Sequence, residues 1–326
     1  MKLGILGSGK IVQEVIQVLE EIDDIEVVAI AARNREKLEK FSRDHNIGRF
    51  YTSIDELLDD SNVEVVYIGL PNNLHYDAMK KAIARGKNII CEKPFTSNIS
   101  EAGEIHKLAD EAGVMVVEAM SHRFIPNASR VKSLIGDLGD IKLVSFNYSQ
   151  YSSRYDAFMN GKIAPAFSLE SSGGCLMDLN LYNIAFAVDT FGKAEEVYYF
   201  ANMDRGIDTS GIAILDYGDF KVSCIGSKDT DAPLTNTIQG TKGSIIITDA
   251  LNSFGSFEFR DKDYRHFNFN DDTKSRIYYE FVESSKIFSE NDRKRVDELM
   301  DMTLDYMEVM TNLRKSAEIS FPADNI

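Results

Sequence analysis

Several short segments of this sequence combine residue types and spacings suited to holding a dinucleotide. Gly7-Ser8-Gly9-Lys10-Ile11 follows the apolar run Leu3 to Leu6 and opens a stretch with Ile11, Val15, Leu19 and Ile22 at helical spacing. In that order of strand, turn and helix, Gly7 permits a tight turn, Gly9 lets the backbone approach a pyrophosphate, and the helix N-terminus offers its N–H groups to the anion. The third small residue of the usual fingerprint is replaced by Val12, whose bulk should push the helix slightly from the sheet. A bare turn with no ligand is the alternative. A second apolar run, Glu26 to Ala32, leads into Arg33-Asn34-Arg35, with no acid until Glu36. An acid there would hold a ribose 2′-hydroxyl, whereas guanidinium groups accommodate a 2′-phosphate, so NADP is expected ahead of NAD. The two arginines could instead solvate the start of a helix over Glu36 to His45. Two further runs, Val63 to Leu70 and Asn88 to Cys91, flank a helix-length segment with Ala78, Met79, Ala82 and Ile83 on one face. They form a parallel crossover whose strand ends carry Leu70-Pro71-Asn72-Asn73-Leu74-His75 and Glu92-Lys93-Pro94. Ligands gather outside such ends, so the two segments would face one another across a cleft. Pro94 restricts Lys93 to an extended backbone. Later in the chain, Asp178 and Tyr182 stand four residues apart, on one face of an expected helix.

The elements that position these residues divide into two patterns. Up to about residue 121, strands alternate with helices, ending in a helix over Ser97 to Ala112, capped by Asn98 or Ser100, and a strand over Val114 to Ala119. The expected domains are therefore 1–121 and 122–326. From Asp140 the chain changes to long strands, Ile141 to Tyr151, Glu196 to Asn202, Thr209 to Tyr217, Phe220 to Ser227, Thr235 to Gly240, Ser244 to Thr248 and Phe254 to Arg260. Several are joined at hairpin spacing, which implies a large, mostly antiparallel sheet. One helix interrupts it, Gly174 to Phe191, and two close the chain, Ser275 to Ser289 and Asp292 to Ala317. The stripe Val296, Leu299, Met300, Thr303, Met307 and Met310 on the last helix is core packing. With helices for only one face of the sheet, the other face, carrying Ile212, Ile214, Val222 and Cys224, would seek a second copy of the chain.

Composition narrows the partners. Lys and Arg number 36 against 52 for Asp and Glu, a formal charge of −16 that opposes phosphate backbones and anionic lipid. Neither nucleic acid nor membrane is expected as a partner. Cys91, Cys175 and Cys224 are widely spaced and odd in number, which suggests neither a disulfide framework nor a zinc site, and no other metal-ligand cluster is visible. The first residues enter the glycine turn without a signal-peptide pattern, so a cytoplasmic protein is expected.

The glycine turn, Pro71-Asn72-Asn73-x-His75, Glu92-Lys93-Pro94, Arg123-Phe124-Ile125-Pro126 and Gly173-Gly174-x-x-x-Asp178-x-Asn180-x-Tyr182 together resemble the Gfo/Idh/MocA family of nicotinamide-dependent sugar and polyol oxidoreductases. The likeness covers nearly the whole chain and looks most like the branch that contains dimeric dihydrodiol dehydrogenase, D-xylose dehydrogenase and glucose-fructose oxidoreductase. It implies an N-terminal Rossmann domain and a C-terminal α+β domain that binds substrate and dimerises through its sheet. It implies Lys93 as the catalytic centre, with Asp178 and Tyr182 approaching the substrate. Tyr182 could take the hydroxyl proton, because an adjacent ammonium favours a phenolate, while Lys93 polarises the carbonyl oxygen in the reverse direction. Asp178 could accept a substrate hydroxyl or hold Lys93; a Lys93–Asp178 ion pair with no catalytic role, and Tyr182 as plain core, are the alternatives. His75 and Glu92 are expected near the cofactor, with Glu92 turned inward to order its loop. Asn180 replaces a glycine of the family pattern, a change expected at the pocket floor. The implied reaction is hydride transfer between NADP, or NAD, and a CH–OH group of a sugar, polyol or cyclic diol. Some relatives use the nicotinamide transiently to labilise a glycosidic bond, and a non-catalytic NADP-responsive regulator is a third reading.

Overall fold

Six parallel strands make the first sheet: β1 (Lys2–Leu6), β2 (Glu26–Ala31), β3 (Arg49–Tyr51), β4 (Val65–Ile68), β5 (Asn88–Glu92) and β6 (Val116–Ala119), in spatial order β3-β2-β1-β4-β5-β6. Parallel strands are buried on both faces, which is why β4 is an apolar run and β6 is apolar but for Glu118, with every residue of both buried. The connecting helices are α1 (Lys10–Leu19), α2 (Arg35–Asp44), α3 (Ile54–Leu58), α4 (His75–Ile83) and α5 (Ile99–Ala112). Asn98 caps α5, its side chain accepting from the Glu101 N–H, and the helix stops at Gly113 in the left-handed region. The strand order reverses between β1 and β4, where doubly wound sheets open a ligand crevice. The short elements β3 and α3 were not anticipated, being too brief for a periodic signal.

This computed structural model describes residues 1–263, 265–270 and 274–325, which fall into two compact units. The first is Met1–Ala119 with Ile277–Leu304, the second Met120–Arg276 with Asp305–Ile326. A single cut at residue 121 thus leaves out the return of a helical stretch to the first unit, where Ile277 and Phe281 join the core of Leu3, Ile5, Tyr67 and Ile90.

In the second unit α6 (Pro126–Leu134) leads to β7 (Ile141–Ser149), and the short α7 (Tyr155–Met159) precedes a π-helical turn, Leu176–Asn180, and α8 (Leu181–Phe191). The sheet continues with β8 (Glu196–Asp204), β9 (Ile207–Asp216), β10 (Lys221–Ser227), β11 (Asn236–Gly240), β12 (Gly243–Ile247), β13 (Phe257–Asp261) and β14 (His266–Phe269). Its order is β14-β13-β12-β11-β7-β10-β9-β8, antiparallel except for the central pair β7 and β10. α8 packs on that sheet through Phe186, whose ring lies 5.7 Å from Phe146 and 4.8 Å from Phe254. Asn180 and Asn183 donate to the Cys224 and Ile225 carbonyls of β10, joining helix to strand. The chain closes with α9 (Arg276–Glu290) and α10 (Arg293–Ser316), on which the expected stripe from Val296 to Met310 is buried.

The outward face of this sheet differs from the expected one. Val222 and Cys224 are fully buried, so they belong to the core face with Ala213 and Leu215, their register partners. The opposite parity faces outward: Tyr198 and Phe200 on β8, Ile212 and Ile214 on β9, Ile225 on β10 and Leu143 on β7. A shift of one residue along a strand exchanges its faces, and the register of β10 on β9 sets Ile212 and Ile214 opposite Ile225 and Ser223, leaving Val222 and Cys224 on the core side.

Candidate active site

In the first unit the predicted binding segments leave the sheet at one level. Leu6 is in register with Ala31 on β2 and Ile68 on β4, and Ile68 with Cys91 on β5. The glycine turn, Arg33-Asn34-Arg35, Leu70-Pro71-Asn72 and Glu92-Lys93-Pro94 therefore all begin along the carboxyl edge. Backbone bonds close the first steps beyond it, from the Gly7 N–H to the Ala31 carbonyl and from the Gly69 N–H to the Leu6 carbonyl, each 2.9 Å. Gly7 has φ +116°, and a Cβ there would stand 2.3 Å from the Gly69 carbonyl oxygen, so no other residue fits. Val12 has its room because its neighbour across the turn is also a glycine: a Cβ on Gly69 would lie 2.8 Å from Val12 Cγ2. The room that the larger third residue takes is made by Gly69, just past the end of β4.

The residues present fit a dinucleotide. Nothing lies within 4 Å of where a Cβ of Gly9 would be, and Ser8, Gly9 and Lys10 are exposed. α1 starts at Lys10 and Ile11 with no side-chain cap and no acid in its first turn, which leaves its N–H groups to an anion. Arg33 and Arg35 are exposed beyond β2. Asn34 uses its side-chain oxygen to cap α2 at the Lys37 N–H, and the Arg35 guanidinium lies 5.7 Å from the Phe50 ring centroid.

The Lys93 turn is braced from behind. Glu92 points inward, accepting from the Tyr67 hydroxyl at 2.7 Å and from the Lys93 N–H at 3.2 Å. His75 is fully buried, with Nδ1 2.9 Å from the Pro94 carbonyl and Nε2 2.9 Å from the Leu70 carbonyl. Burial holds this imidazole below its usual pKa, and a neutral ring donates to only one of the two carbonyls. It ties the end of β4 to the Lys93 turn. Lys93 itself is half-buried, and its bond to Pro94 is cis.

In the second unit the expected helix from Gly174 begins as a π turn. Asp208, fully buried, accepts from the Leu176 N–H at 2.7 Å and the Tyr199 hydroxyl at 2.9 Å, which fixes the start of that turn. Gly174, at φ +109°, is what lets Asp208 in, since a Cβ there would fall 2.0 Å from its Oδ1. Burial raises the Asp208 pKa to about 6, against its hydrogen bonds and the nearby Lys228. Asp178 lies within the π turn and pairs with Lys228 at 2.9 Å. Tyr182 is in the first turn of α8, 4% exposed, its ring centroid 6.0 Å from that of Tyr148. Asn180 is fully buried against β10, where Gly226 leaves it room, so its replacement of a glycine serves helix-to-sheet packing. Wide turns of this kind occur frequently at functional sites. Lys228 and Asp208 were not anticipated from sequence, where both look like ordinary polar residues at strand ends.

A second buried cluster anchors the start of this unit. His122 Nε2 lies 2.7 Å from Asp189, which also accepts from Arg123 Nε at 2.9 Å, and the His122 and Asp189 side chains are both 0% exposed. Burial lowers the His122 pKa to about 4 although Asp189 pulls it up, while Arg123 and His122 overcome burial to hold Asp189 well below the usual carboxylate range. These groups are structural.

Residues 1–120 match the model of an oxidoreductase family with an NAD-binding Rossmann fold, and residues 130–246 match the GFO/IDH/MocA C-terminal domain. The chain is 32% identical over 328 residues to scyllo-inositol 2-dehydrogenase (NADP(+)) IolU of Bacillus subtilis, covering 99% of each. It is 33% identical over 257 residues to trans-1,2-dihydrobenzene-1,2-diol dehydrogenase of Xenopus tropicalis, 76% of this chain and 74% of that one. In fold it is similar to KijD10, a 3-ketoreductase from Actinomadura kijaniata solved with NADP and TDP-benzene, with a TM-score of 0.85 and 18% identity over 97% of both chains.

Proposed function

We propose that this chain, which belongs to the Gfo/Idh/MocA family of NAD(P)-dependent oxidoreductases, uses Lys93, Tyr182 and Asp178 to handle the oxygen and proton at the CH–OH group it oxidises or forms. It is an oxidoreductase that moves a hydride between NADP, or NAD, and a CH–OH group of a sugar, polyol or cyclic diol. The observation that supports the residue roles best is the common level at which the glycine turn, Leu70-Pro71-Asn72 and Lys93 leave the parallel sheet.

Gly7, Ser8, Gly9, Lys10 and Ile11 would hold the pyrophosphate, Arg33 and Arg35 a 2′-phosphate, and Leu70, Pro71 and Asn72 the approach to the nicotinamide. When bound, that ring supplies the hydride acceptor or donor. Lys93 orients the reacting oxygen and stabilises charge on it, Tyr182 takes or returns its proton, and Asp178 accepts a hydrogen bond from a neighbouring substrate hydroxyl. The residue numbers 122–276 and 305–326 would then carry substrate recognition. The test follows absorbance of the reduced nicotinamide while scyllo-inositol, other polyols, aldoses and cyclic diols are offered with NADP and with NAD. Growth of the signal with a polyol or diol is the expected result. Turnover of glycosides without net reduced cofactor would reject it.

A homodimer forms through the outward face of the second sheet in this reading, supported by Phe200 at 65% exposure, by Ile212 as its register partner and by Tyr198 two residues along the same strand. Sedimentation should show a dimer at micromolar concentration, and Phe200→Glu should leave monomers; a wild-type monomer removes this part. Among the described residues, no helix is long and apolar enough to cross a membrane. A cytoplasmic location remains part of the same proposal, supported by three cysteines that are all buried and unpaired with one another.

A further inference from the structure

β10 ends at Ser227, and the next residue is a lysine with 1% of its side chain exposed. Its backbone is held on both sides, the Lys228 N–H donating to the Thr209 carbonyl at 2.8 Å and its carbonyl accepting from the Ser152 N–H at 2.9 Å. The side chain runs inward. Its ammonium pairs with Asp178 Oδ2 at 2.9 Å, donates to the Ala166 carbonyl, and lies 4.0 Å from the Phe167 ring centroid. The Ala166 carbonyl also accepts from the Gly174 N–H, and a Cβ on Gly173 would stand 2.5 Å from the Pro165 carbonyl, so residues 165–167 lie directly on the start of the π turn.

A buried ammonium persists only where its neighbours compensate its lost hydration, and here a carboxylate, a carbonyl and an aromatic face do so. The pair is lopsided. Lys228 is enclosed, whereas the Asp178 side chain keeps 31% exposure. The lysine approaches Asp178 from the interior, and the part of the Asp178 side chain that keeps its exposure is the part a ligand can meet.

We propose that Lys228 is a positioning residue that holds Asp178 as an ionised hydrogen-bond acceptor and ties it to residues 165–167, so that carboxylate and turn meet the substrate as one unit. This rests on the reading of Asp178 as the acceptor of a substrate hydroxyl. An ionised carboxylate accepts and cannot donate, so the enzyme selects substrates that carry a second hydroxyl within reach of Asp178, and discriminates against the analogue lacking it.

The experiment compares Lys228→Met, Lys228→Gln, Lys228→Arg, Asp178→Asn and the Lys228→Met/Asp178→Asn double variant, using scyllo-inositol or whichever polyol gives the highest rate, with NADP. Lys228→Met and Asp178→Asn should each raise KM for the polyol by about tenfold or more, the loss expected for a hydrogen bond to a charged group, with KM for NADP within a few-fold. The double variant should be little worse than the poorer single one, because both remove the same arrangement. Lys228→Arg, which keeps the cation, should recover much of the loss. If Lys228→Met does not fold, Lys228→Gln keeps the donor to Ala166 without the charge and should show the same rise in KM. A Lys228→Met or Lys228→Gln enzyme with wild-type KM and only a lowered melting temperature overturns the proposal, as do effects that multiply in the double variant. Normal kinetics in Asp178→Asn would overturn the underlying reading as well, whereas a defect in Asp178→Asn with normal Lys228 variants defeats the positioning role alone.

Discussion

The two units build their candidate site residues by different means. At the carboxyl edge of the first sheet, positions are set mainly by backbone: strand register, Gly7 and Gly69 in contact, and a Lys93 turn held at its own N–H by Glu92 and at carbonyl oxygens by His75. In the second unit they are set by buried charge: Lys228 behind Asp178, Asp208 at the start of the π turn, and Asp189 between His122 and Arg123. A backbone-built site tolerates most side-chain changes and responds to pH only through the groups it presents. A charge-built site depends on every partner, because removing one leaves another buried and uncompensated.

The contrast breaks first at Lys93. Lys93→Ala should lower kcat by about 10²–10⁴-fold, the usual contribution of a positioned acid or base, while melting temperature and NADP affinity stay close to wild type. A large fall in stability would mean that Lys93 also supports its unit's fold. Asp189→Ala should do the reverse, costing on the order of 3–5 kcal/mol of stability in denaturant unfolding because Arg123 and His122 are left in the interior. A loss below about 1 kcal/mol would show that water or a neighbour replaces the carboxylate.

Acid sharpens the comparison further. His122 has a folded pKa of about 4, below its ordinary 6.5, so the stability it contributes is present above pH 6.5 and is lost as pH falls toward 4. Asp208 acts oppositely, because its folded value of about 6 exceeds its ordinary 3.8, giving stability that is present below pH 3.8 and is lost as pH rises through 6. Between pH 6.5 and 4.5, His122→Gln should therefore flatten the acid loss by about 2 kcal/mol, and Asp208→Asn should steepen it. Unfolding free energies measured at both pH values decide this, and a slope unchanged in both variants refutes it. The smallest expected effect is at the exposed Arg33: Arg33→Ala should weaken NADP about tenfold and NAD much less. Equal weakening of both would remove the basis for a 2′-phosphate contact.

Most of the first unit was legible in the sequence because its information is local. An apolar run, a glycine turn and an amphipathic helix specify a βαβ unit within a few dozen residues, and parallel register then aligns the strand ends. Asn98 as a cap and Glu92 turned inward follow from the same short-range chemistry. What remained hidden even here was a contact between distant positions: Val12 was expected to displace its helix, and the space it occupies was made by Gly69, just past the end of β4.

By itself the sequence determined the fold class, the glycine turn after β1, the segments that leave the ends of β4 and β5, and the large antiparallel sheet, all carried by period, turn chemistry or motif. Tertiary structure alone decided which face of β10 is core, since Val222 and Cys224 alternate with Ser223 and Ile225 and only pairing with β7 and packing under α8 set the parity. It alone brought Ile277–Leu304 back to the first unit, and turned the expected helix start into a π turn under Asp208. The same holds for Lys228. Charged residues after a strand are most often solvated, and a lysine's burial is a property of what the rest of the chain packs around it.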